Sequence, residues 1–101
     1  MVRAAAAKLG ELPDKRPVPK TVEATPLVLV RDGERVYCAY GICPHGRWLL
    51  SLGDYKEGKL RCKGHGSVYD LATGAGELNG YPLQIKAYKA EVVGDSVYVE
   101  V

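Results

Sequence analysis

Two short segments, Cys43-Pro44-His45-Gly46 and Cys62-Lys63-Gly64-His65-Gly66, decide the fold of this chain. They contain both histidines of the sequence and two of its three cysteines, in the pattern C-x-H, 16 residues, C-x2-H. Two thiolates and two imidazoles in matched boxes suit a metal site. The combination of soft sulfur with nitrogen narrows the choice to zinc or an iron–sulfur cluster.

The pairing of ligands within each box bears on that choice. Structural zinc sites often use two cysteines and two histidines, usually with C-x2-C boxes. Here each box combines one cysteine with one histidine. Two irons bridged by two sulfides separate their ligands in this way, with both thiolates on one iron and both imidazoles on the other. The spacing therefore favours a two-iron cluster, and a structural zinc site stays the alternative.

The composition is that of one globular domain. The chain has 101 residues, of which 47% are hydrophobic and 26% charged, enough for one core and too few for two. The apolar run at residues 27–30 is far below the roughly 18 residues that a membrane helix needs. Residues 4–7 are also too short for the core of a signal peptide. We therefore expect a cytoplasmic protein with no membrane partner.

Cysteine count and charge exclude two further classes. Three cysteines are an odd number, unlike the disulfide framework of a small secreted protein. The formal charge of +2 is too small to indicate a nucleic-acid partner. Cys38 alternates with Val36 and Tyr40 in a predicted strand, so we expect it to be a small apolar core residue on the same face as both.

Strand patterns dominate both ends of the chain. Residues 21–24 and 27–31 are predicted strands, and Asp32-Gly33 is the predicted turn into a strand over residues 35–40. Towards the C-terminus, residues 83–93 and 96–101 are predicted to form a hairpin around Gly94-Asp95, with the valines at 97, 99 and 101 on one face. No window of 11 or more residues has helical periodicity. Residues 9–12 and 49–52 are each predicted to form one short helical turn.

The middle of the chain differs from its ends. Between residues 41 and 82 glycines are frequent, both boxes occur, and short strands are predicted over residues 59–61 and 67–71. We therefore predict an all-β fold of antiparallel sheets in a single domain over residues 1–101. Its base comprises about residues 1–41 and 83–101, and a small metal-binding subdomain of about residues 42–82 is inserted into it.

The boxes and their surroundings resemble Rieske-type [2Fe-2S] ferredoxins. Residues 43–51, Cys-Pro-His-Gly-Arg-Trp-Leu-Leu-Ser, are similar to the C-T-H-G-x-W-x-L-S box of aromatic dioxygenase ferredoxins. Residues 62–70 resemble the second Rieske box, C-x-x-H-G-S-x-[YF]-D, in the form found in respiratory members, and residues 71–74 match the turn that follows it. Leu12-Pro13 and residues 28–33 are typical of the small soluble members. The resemblance implies the Rieske fold.

This resemblance implies one [2Fe-2S] cluster per chain. Cys43 and Cys62 would bind the inner iron, and His45 and His65 the outer, solvent-facing iron. Neutral imidazole in place of thiolate raises the reduction potential above that of a four-cysteine cluster. Further residues implied to lie around the cluster are Gly46, Trp48, Gly64, Gly66, Ser67, Tyr69 and Pro82.

Several of these residues have a functional and a structural interpretation. By the resemblance, Ser67 would donate to a bridging sulfide and Tyr69 to the sulfur of Cys43, which stabilises the reduced form; alternatively, Tyr69 only packs under the loop. Trp48 either shields the cluster from water or belongs to the core. Pro82 matches a proline segment that covers the cluster. The three glycines allow both tight turns and close approach of the backbone.

The function implied by the resemblance is electron transfer. The chain would be a monomeric one-electron carrier that receives an electron from a reductase and passes it, through the exposed histidine edge, to a terminal acceptor such as a ring-hydroxylating oxygenase. We expect no catalysis by the chain alone, because neither a substrate pocket nor an acid–base pair is evident. Between residues 43 and 65, five basic residues against two acidic ones predict docking onto an acidic partner.

Two related functions are the alternatives. Small subunits of nitrite-reductase-like complexes share this fold but often lack the cluster ligands, all four of which are present here. Respiratory Rieske proteins carry an additional cysteine in each box, joined by a disulfide, and a membrane anchor. At the two cysteine positions this chain has Trp48 and Gly64, which argues against a respiratory-type electron-transfer component.

Overall fold

The computed structural model describes residues 3–44, 48–64 and 66–101. These residues form twelve β-strands: β1 (Arg3–Lys8), β2 (Pro17–Val22), β3 (Thr25–Asp32), β4 (Arg35–Tyr40), β5 (Asp54–Lys56), β6 (Lys59–Arg61), β7 (Val68–Asp70), β8 (Ala75–Leu78), β9 (Tyr81–Gln84), β10 (Ala87–Tyr88), β11 (Ala90–Val93) and β12 (Ser96–Glu100). One-turn 3₁₀ helices occupy Leu9–Glu11 and Leu50–Leu52, where helical turns were predicted. The described part of the chain has no helix long and apolar enough to span a bilayer.

The strands form three antiparallel sheets, which confirms the all-β prediction. A three-stranded sheet has the order β1-β12-β11, a four-stranded sheet the order β10-β4-β3-β2, and a five-stranded sheet the order β5-β6-β7-β8-β9. The first two sheets are built from both ends of the chain. The third sheet contains β5 to β9, from the middle of the chain. In the sequence the first box lies between β4 and β5, and the second lies between β6 and β7.

The four-stranded sheet is buried on both faces, and the sequence of β3 shows why. Leu27 and Leu29 pack in one core with Val97 and Val99 of the three-stranded sheet, together with Cys38 of β4. On the opposite face Val28 and Val30 pack in a second core with Leu60 and Tyr69 of the five-stranded sheet. A strand buried on both faces requires a continuous apolar run rather than alternation. Residues 27–30 therefore mark the centre of the molecule.

Strand β1 was not predicted. Its sequence, Arg-Ala-Ala-Ala-Ala-Lys, has no β-branched or aromatic residue and hence little intrinsic strand preference. It forms a strand because it pairs with β12, from Arg3 opposite Glu100 to Lys8 opposite Ser96. The alternation predicted for β12 is confirmed at Val97 and Val99, which are fully buried.

Two predicted strand boundaries in the first hairpin region are wrong. The strand expected over residues 21–24 is β2, which ends at Val22 before a turn at Glu23 and Ala24. The turn expected at Asp32-Gly33 lies one residue later, because Asp32 still pairs with Arg35. Gly33 is its first residue, with φ of +64°, a conformation that favours glycine.

The strand predicted over residues 83–93 is in fact three strands in three different sheets. The end of β9 belongs to the five-stranded sheet, β10 to the four-stranded sheet and β11 to the three-stranded sheet. The chain crosses between sheets at Ile85 and Lys86: the Ile85 N–H donates to the Gly74 carbonyl, and the Lys86 carbonyl accepts from the Tyr40 N–H. The hairpin at Gly94-Asp95 is confirmed for β11 and β12 alone.

The face predicted for Tyr40 is also wrong. Val36 and Cys38 lie in the core shared with the three-stranded sheet, whereas Tyr40 packs against the core shared with the five-stranded sheet. Tyr40 ends its strand directly before Gly41, whose backbone crosses so close to Leu27 that a Cβ would lie 2.8 Å from the Leu27 carbonyl carbon. The regular alternation of the strand stops at this crossing.

The turn between β2 and β3 offers a test of stability. Glu23 and Ala24 have φ of 50° and 63°, in the left-handed region that costs a residue with a Cβ roughly 1 kcal/mol. We expect Ala24→Gly to stabilise the protein by about 0.5–1 kcal/mol, raising the thermal midpoint by roughly 2–8 °C. Ala72 is also an exposed turn residue but is not at positive φ. The control Ala72→Gly should not raise the midpoint, and equal midpoints for Ala24→Gly and the parent would contradict the interpretation.

The buried thiol of Cys38 makes the free energy of unfolding depend on pH. It is 1% exposed, and burial raises the pKa of its thiol from 9.0 to about 12. Because the folded pKa is the higher one, the fold favours the neutral thiol, and this contribution is complete below pH 9 and lost as the pH rises towards 12. We expect the urea midpoint to fall more steeply between pH 9 and 11 in the parent than in Cys38→Val. Parallel slopes would contradict this.

Candidate metal centre

The described ends of the two boxes are closed by the same pattern of backbone pairing. In loop 1 (residues 43–48) the Cys43 N–H donates to the Trp48 carbonyl over 2.7 Å, and in loop 2 (residues 62–67) the Cys62 N–H donates to the Ser67 carbonyl over 2.7 Å. Each bond spans five residues. Each loop also begins and ends on an antiparallel pair, which is Ile42 opposite Leu49 for loop 1 and Arg61 opposite Val68 for loop 2. The backbone therefore presents Cys43 and Cys62 in matching positions.

Both cysteines lie in the buried base of the loops. Cys43 is 0% and Cys62 1% exposed, and they share one core with Leu60 and Tyr69. His45, Gly46 and His65 lie outside the described residues. Within residues 3–44, 48–64 and 66–101, which hold neither histidine, no three His, Cys, Asp or Glu side chains converge as metal ligands. The structure thus brings the two predicted sulfur ligands into one core, and the nitrogen ligands stay a prediction.

Two hydroxyl groups are within hydrogen-bonding distance of the sulfur of Cys43. The Tyr69 hydroxyl lies 3.3 Å from Cys43 Sγ, and Ser67 Oγ lies 3.5 Å from the same atom. Both side chains are fully buried. Burial, together with the hydrogen bond to Cys43, raises the pKa of Tyr69 to about 12. The Tyr69 hydroxyl therefore stays protonated at neutral pH and is able to donate to a thiolate.

This donor set fits a [2Fe-2S] cluster. A buried pair of soft sulfur atoms suits iron, and hydroxyl donors aimed at a thiolate offset the charge that an added electron brings. The contact of Ser67 with Cys43 was not anticipated, because the resemblance implied only a bond from Ser67 to a bridging sulfide. The position of Ser67 at the closing bond of loop 2 explains it.

Glycines make room for two aromatic rings. At Gly64 a Cβ would collide with the Trp48 indole, and at Gly76 a Cβ would collide with the Tyr69 ring. Gly66 has φ of +79° and fulfils a backbone requirement in loop 2. Gly76 was missed because no strand was predicted over residues 75–78, where a glycine would have indicated close approach. It allows the ring that carries the Tyr69 hydroxyl to pack closely against β8.

Trp48 and Pro82 are both at the surface. Trp48 is 42% exposed, which excludes the interpretation that it is an ordinary core residue. Pro82 is exposed and lies in β9 opposite Glu77. The predicted cover of the cluster by Pro82 stays a prediction.

Basic residues near the loops lie on the outer face of the five-stranded sheet. Lys59 and Arg61 are exposed on either side of the buried Leu60, and Lys56 lies directly opposite Lys59. Lys63 is exposed in loop 2, and Arg47 is outside the described residues. Asp54 is opposite Arg61 and Asp70 is opposite Lys59 across the strands, so two of these basic residues each have an acidic residue beside them.

Curated relatives agree with the geometry. The anthranilate 1,2-dioxygenase ferredoxin subunit of Burkholderia cepacia is 25% identical over 93 residues, which cover 92% of this chain and 86% of the relative. Ferredoxin CarAc of Metapseudomonas resinovorans is 30% identical over 78 residues, covering 77% of this chain and 73% of the relative. Both relatives are ferredoxins.

Solved structures with the same fold include ferredoxins of a dioxygenase. The ferredoxin of carbazole 1,9a-dioxygenase from Nocardioides aromaticivorans IC177 superposes with a TM-score of 0.90 at 27% identity, covering 98% of this chain and 97% of that one. A chain from the complex of reduced oxygenase and oxidized ferredoxin in carbazole 1,9a-dioxygenase superposes with a TM-score of 0.85 at 23% identity, covering 97% of this chain and 92% of that one. At this identity the second comparison shows the fold alone.

The family model for the Rieske [2Fe-2S] domain matches residues 3–89. That range includes β1 to β10, both loops, and the buried sulfur and hydroxyl groups described above. One [2Fe-2S] cluster is the cofactor of such a domain. The chain belongs to the Rieske [2Fe-2S] domain family.

Proposed function

We propose that this protein is a ferredoxin that accepts one electron from a reductase and passes it to the oxygenase component of an aromatic-ring dioxygenase system. The observation that carries the proposal is the buried pair Cys43 and Cys62 beneath two matching loops, with the Tyr69 hydroxyl 3.3 Å from Cys43 Sγ. Relatives that are ferredoxin subunits of dioxygenases support the choice of acceptor, as does the solved complex of another ferredoxin with its oxygenase.

The ligand assignment is part of this proposal. Cys43 and Cys62 would hold the inner iron, and His45 and His65 would hold the outer iron. When bound, the cluster supplies a one-electron couple in the Rieske range of potentials, roughly −150 to +300 mV. The chain contributes the remainder: the core around the cysteines excludes water, and the hydroxyls of Ser67 and Tyr69 stay protonated and donate to the sulfur of Cys43.

The end of the molecule that carries the two loops is the proposed docking site. Trp48 and Leu49 at the end of loop 1 are 42% and 46% exposed. Lys63 of loop 2 is also exposed and directly precedes Gly64, which the Trp48 ring contacts. An apolar centre with basic residues at its edge suits a transient partner with an acidic rim. The protein needs no catalytic activity of its own in this role, which we place in the cytoplasm.

The domain organisation is a further part of the proposal. We propose that residues 1–41 and 83–101 form the base and that residues 42–82 form the cluster-binding insertion. The five-stranded sheet, from Asp54 to Gln84, supports this division, and its last strand extends two residues past residue 82. The Tyr55 hydroxyl joins the two parts, because it donates to Asp32 Oδ2 over 2.7 Å. Within the insertion it also accepts from the Gly58 N–H over 2.9 Å.

Electron transfer to an oxygenase tests the proposal. The purified protein, reduced with dithionite, is mixed anaerobically with an oxidised oxygenase of an anthranilate or carbazole dioxygenase, and its reoxidation is followed by visible absorption. We expect reoxidation to be much faster with an oxygenase than without one, and to slow as salt is added because the docking charges are screened. A reoxidation rate that neither oxygenase increases would contradict the choice of acceptor. A rate independent of salt would contradict docking through the basic residues.

A further inference from the structure

The Trp48 indole lies across the gap between the two loops. Trp48 closes loop 1, and its ring rests on the backbone of Gly64 in the middle of loop 2, where a Cβ would collide with the ring atoms Cδ1 and Nε1. Gly64 does not have a positive φ, so its backbone conformation is open to any residue. Glycine is therefore required at this position by the indole and not by the turn.

This contact connects parts that the hydrogen bonds leave separate. The closing bonds of the loops, from the Cys43 N–H and the Cys62 N–H, each stay within one loop. The described hydrogen bond between the two loops, which joins Ser67 Oγ to Cys43 Sγ, lies at the buried base. The contact of Trp48 with Gly64 lies at the solvent side, since Trp48 is 42% exposed. It therefore joins the two loops on their solvent side, whereas the described hydrogen bond between them lies at the buried base.

We propose that the Trp48 indole, which rests on Gly64, ties loop 1 to loop 2 and holds Cys62 in position for the cluster. Trp48 thus acts on the cluster indirectly, by positioning loop 2, and Gly64 is the residue on which its ring packs. This inference rests on the proposed ligand assignment, but it makes a separate claim about the two loops. If Trp48 served only as a docking surface, a methyl group placed beneath it at residue 64 would not affect retention of the cluster.

A cross-linking experiment tests the proximity of the two residues without reference to activity. An ideal Cβ on Gly64 would lie 2.7 Å from Trp48 Cγ, so the two Cβ atoms would be no more than about 4.2 Å apart, within the range of a disulfide. In the holoprotein carrying Trp48→Cys and Gly64→Cys, oxidised glutathione should accept the two thiol hydrogens and yield an intramolecular disulfide and two molecules of reduced glutathione. Peptide mass spectrometry after alkylation identifies the linked pair.

The matched control moves one of the cysteines by one residue. The pair Leu49→Cys and Gly64→Cys uses another exposed residue beside loop 1 and should not form the disulfide under the same conditions. Linkage of residues 48 and 64 but not of 49 and 64 supports the proposal. Equal linkage of both pairs, or linkage of neither, would overturn it.

A second experiment measures cluster retention in a double-mutant cycle. In the presence of a ferrous chelator we expect Trp48→Ala and Gly64→Ala each to accelerate bleaching of the visible absorption by about tenfold, and the double variant to bleach no faster than either single one. The exposed control Leu49→Ala should bleach at the parent rate. Bleaching of Trp48→Ala at the parent rate, or multiplying effects in the double variant, would overturn the proposal. Parent protein that holds no cluster at all would instead contradict the proposed function.

Discussion

Replacing either Cys43 or Cys62 by alanine is expected to abolish cluster binding. Both side chains are buried beneath the loops, so the apolar methyl group leaves the inner iron without one of its two thiolates and admits no exogenous ligand in its place. The variants should be colourless after purification and contain neither iron nor acid-labile sulfide. Visible absorption and the content of iron and sulfide per chain measure the loss.

Cys38 provides the matched control for this experiment. It is as deeply buried as the other two cysteines, but it packs in the core shared with the three-stranded sheet. We expect Cys38→Ala to retain the full content of iron and sulfide, although it leaves a small cavity. A Cys43→Ala or Cys62→Ala variant with the parent iron content would remove that residue from the proposed ligand set.

Replacing Tyr69 by phenylalanine is expected to lower the reduction potential by about 60 mV, which corresponds to about 1.4 kcal/mol for a one-electron couple. The hydroxyl lies 3.3 Å from Cys43 Sγ, and a donor to the thiolate stabilises the reduced state, which carries the additional negative charge. The phenyl ring keeps the packing against Gly76. A redox titration monitored by visible absorption measures the shift.

Two further variants separate this effect from general changes in packing. Tyr55→Phe removes a hydroxyl that bonds to Asp32 and to the Gly58 N–H, so we expect it to leave the potential unchanged. Ser67→Ala removes the longer contact, 3.5 Å from Cys43 Sγ, and should lower the potential by less than Tyr69→Phe. If Tyr69→Phe and the parent have equal potentials, the Tyr69 hydroxyl does not donate to the cluster.

The parts of the fold that the sequence predicts well have strong local patterns. The apolar run in β3, the alternating residues of β12 and the Gly94-Asp95 turn all appear where expected. Their burial and turn geometry are encoded by neighbouring residues, which is the information a single sequence contains. The two boxes predict the family for a related reason, because metal ligands restrict both residue type and spacing.

The parts that the sequence does not predict depend on distant partners. β1 is a run of alanines that becomes a strand only by pairing with β12, at the other end of the chain. Residues 83–93 have the pattern of one strand, but they are divided among three strands that belong to three different sheets. Similarly, Trp48 and Gly64 were each predicted to lie near the cluster, but the contact between them was not predicted, because it depends on how loop 1 packs against loop 2.

The most direct test of the central claim is pulsed EPR of the reduced protein labelled with ¹⁵N-histidine. The chain contains two histidines in all, so the label reports on His45 and His65 and on no other residue. Direct ligation of the outer iron by both predicts two strong ¹⁵N hyperfine couplings in the reduced cluster. Strong coupling from one histidine or from none would contradict the assignment of cysteines to one iron and histidines to the other.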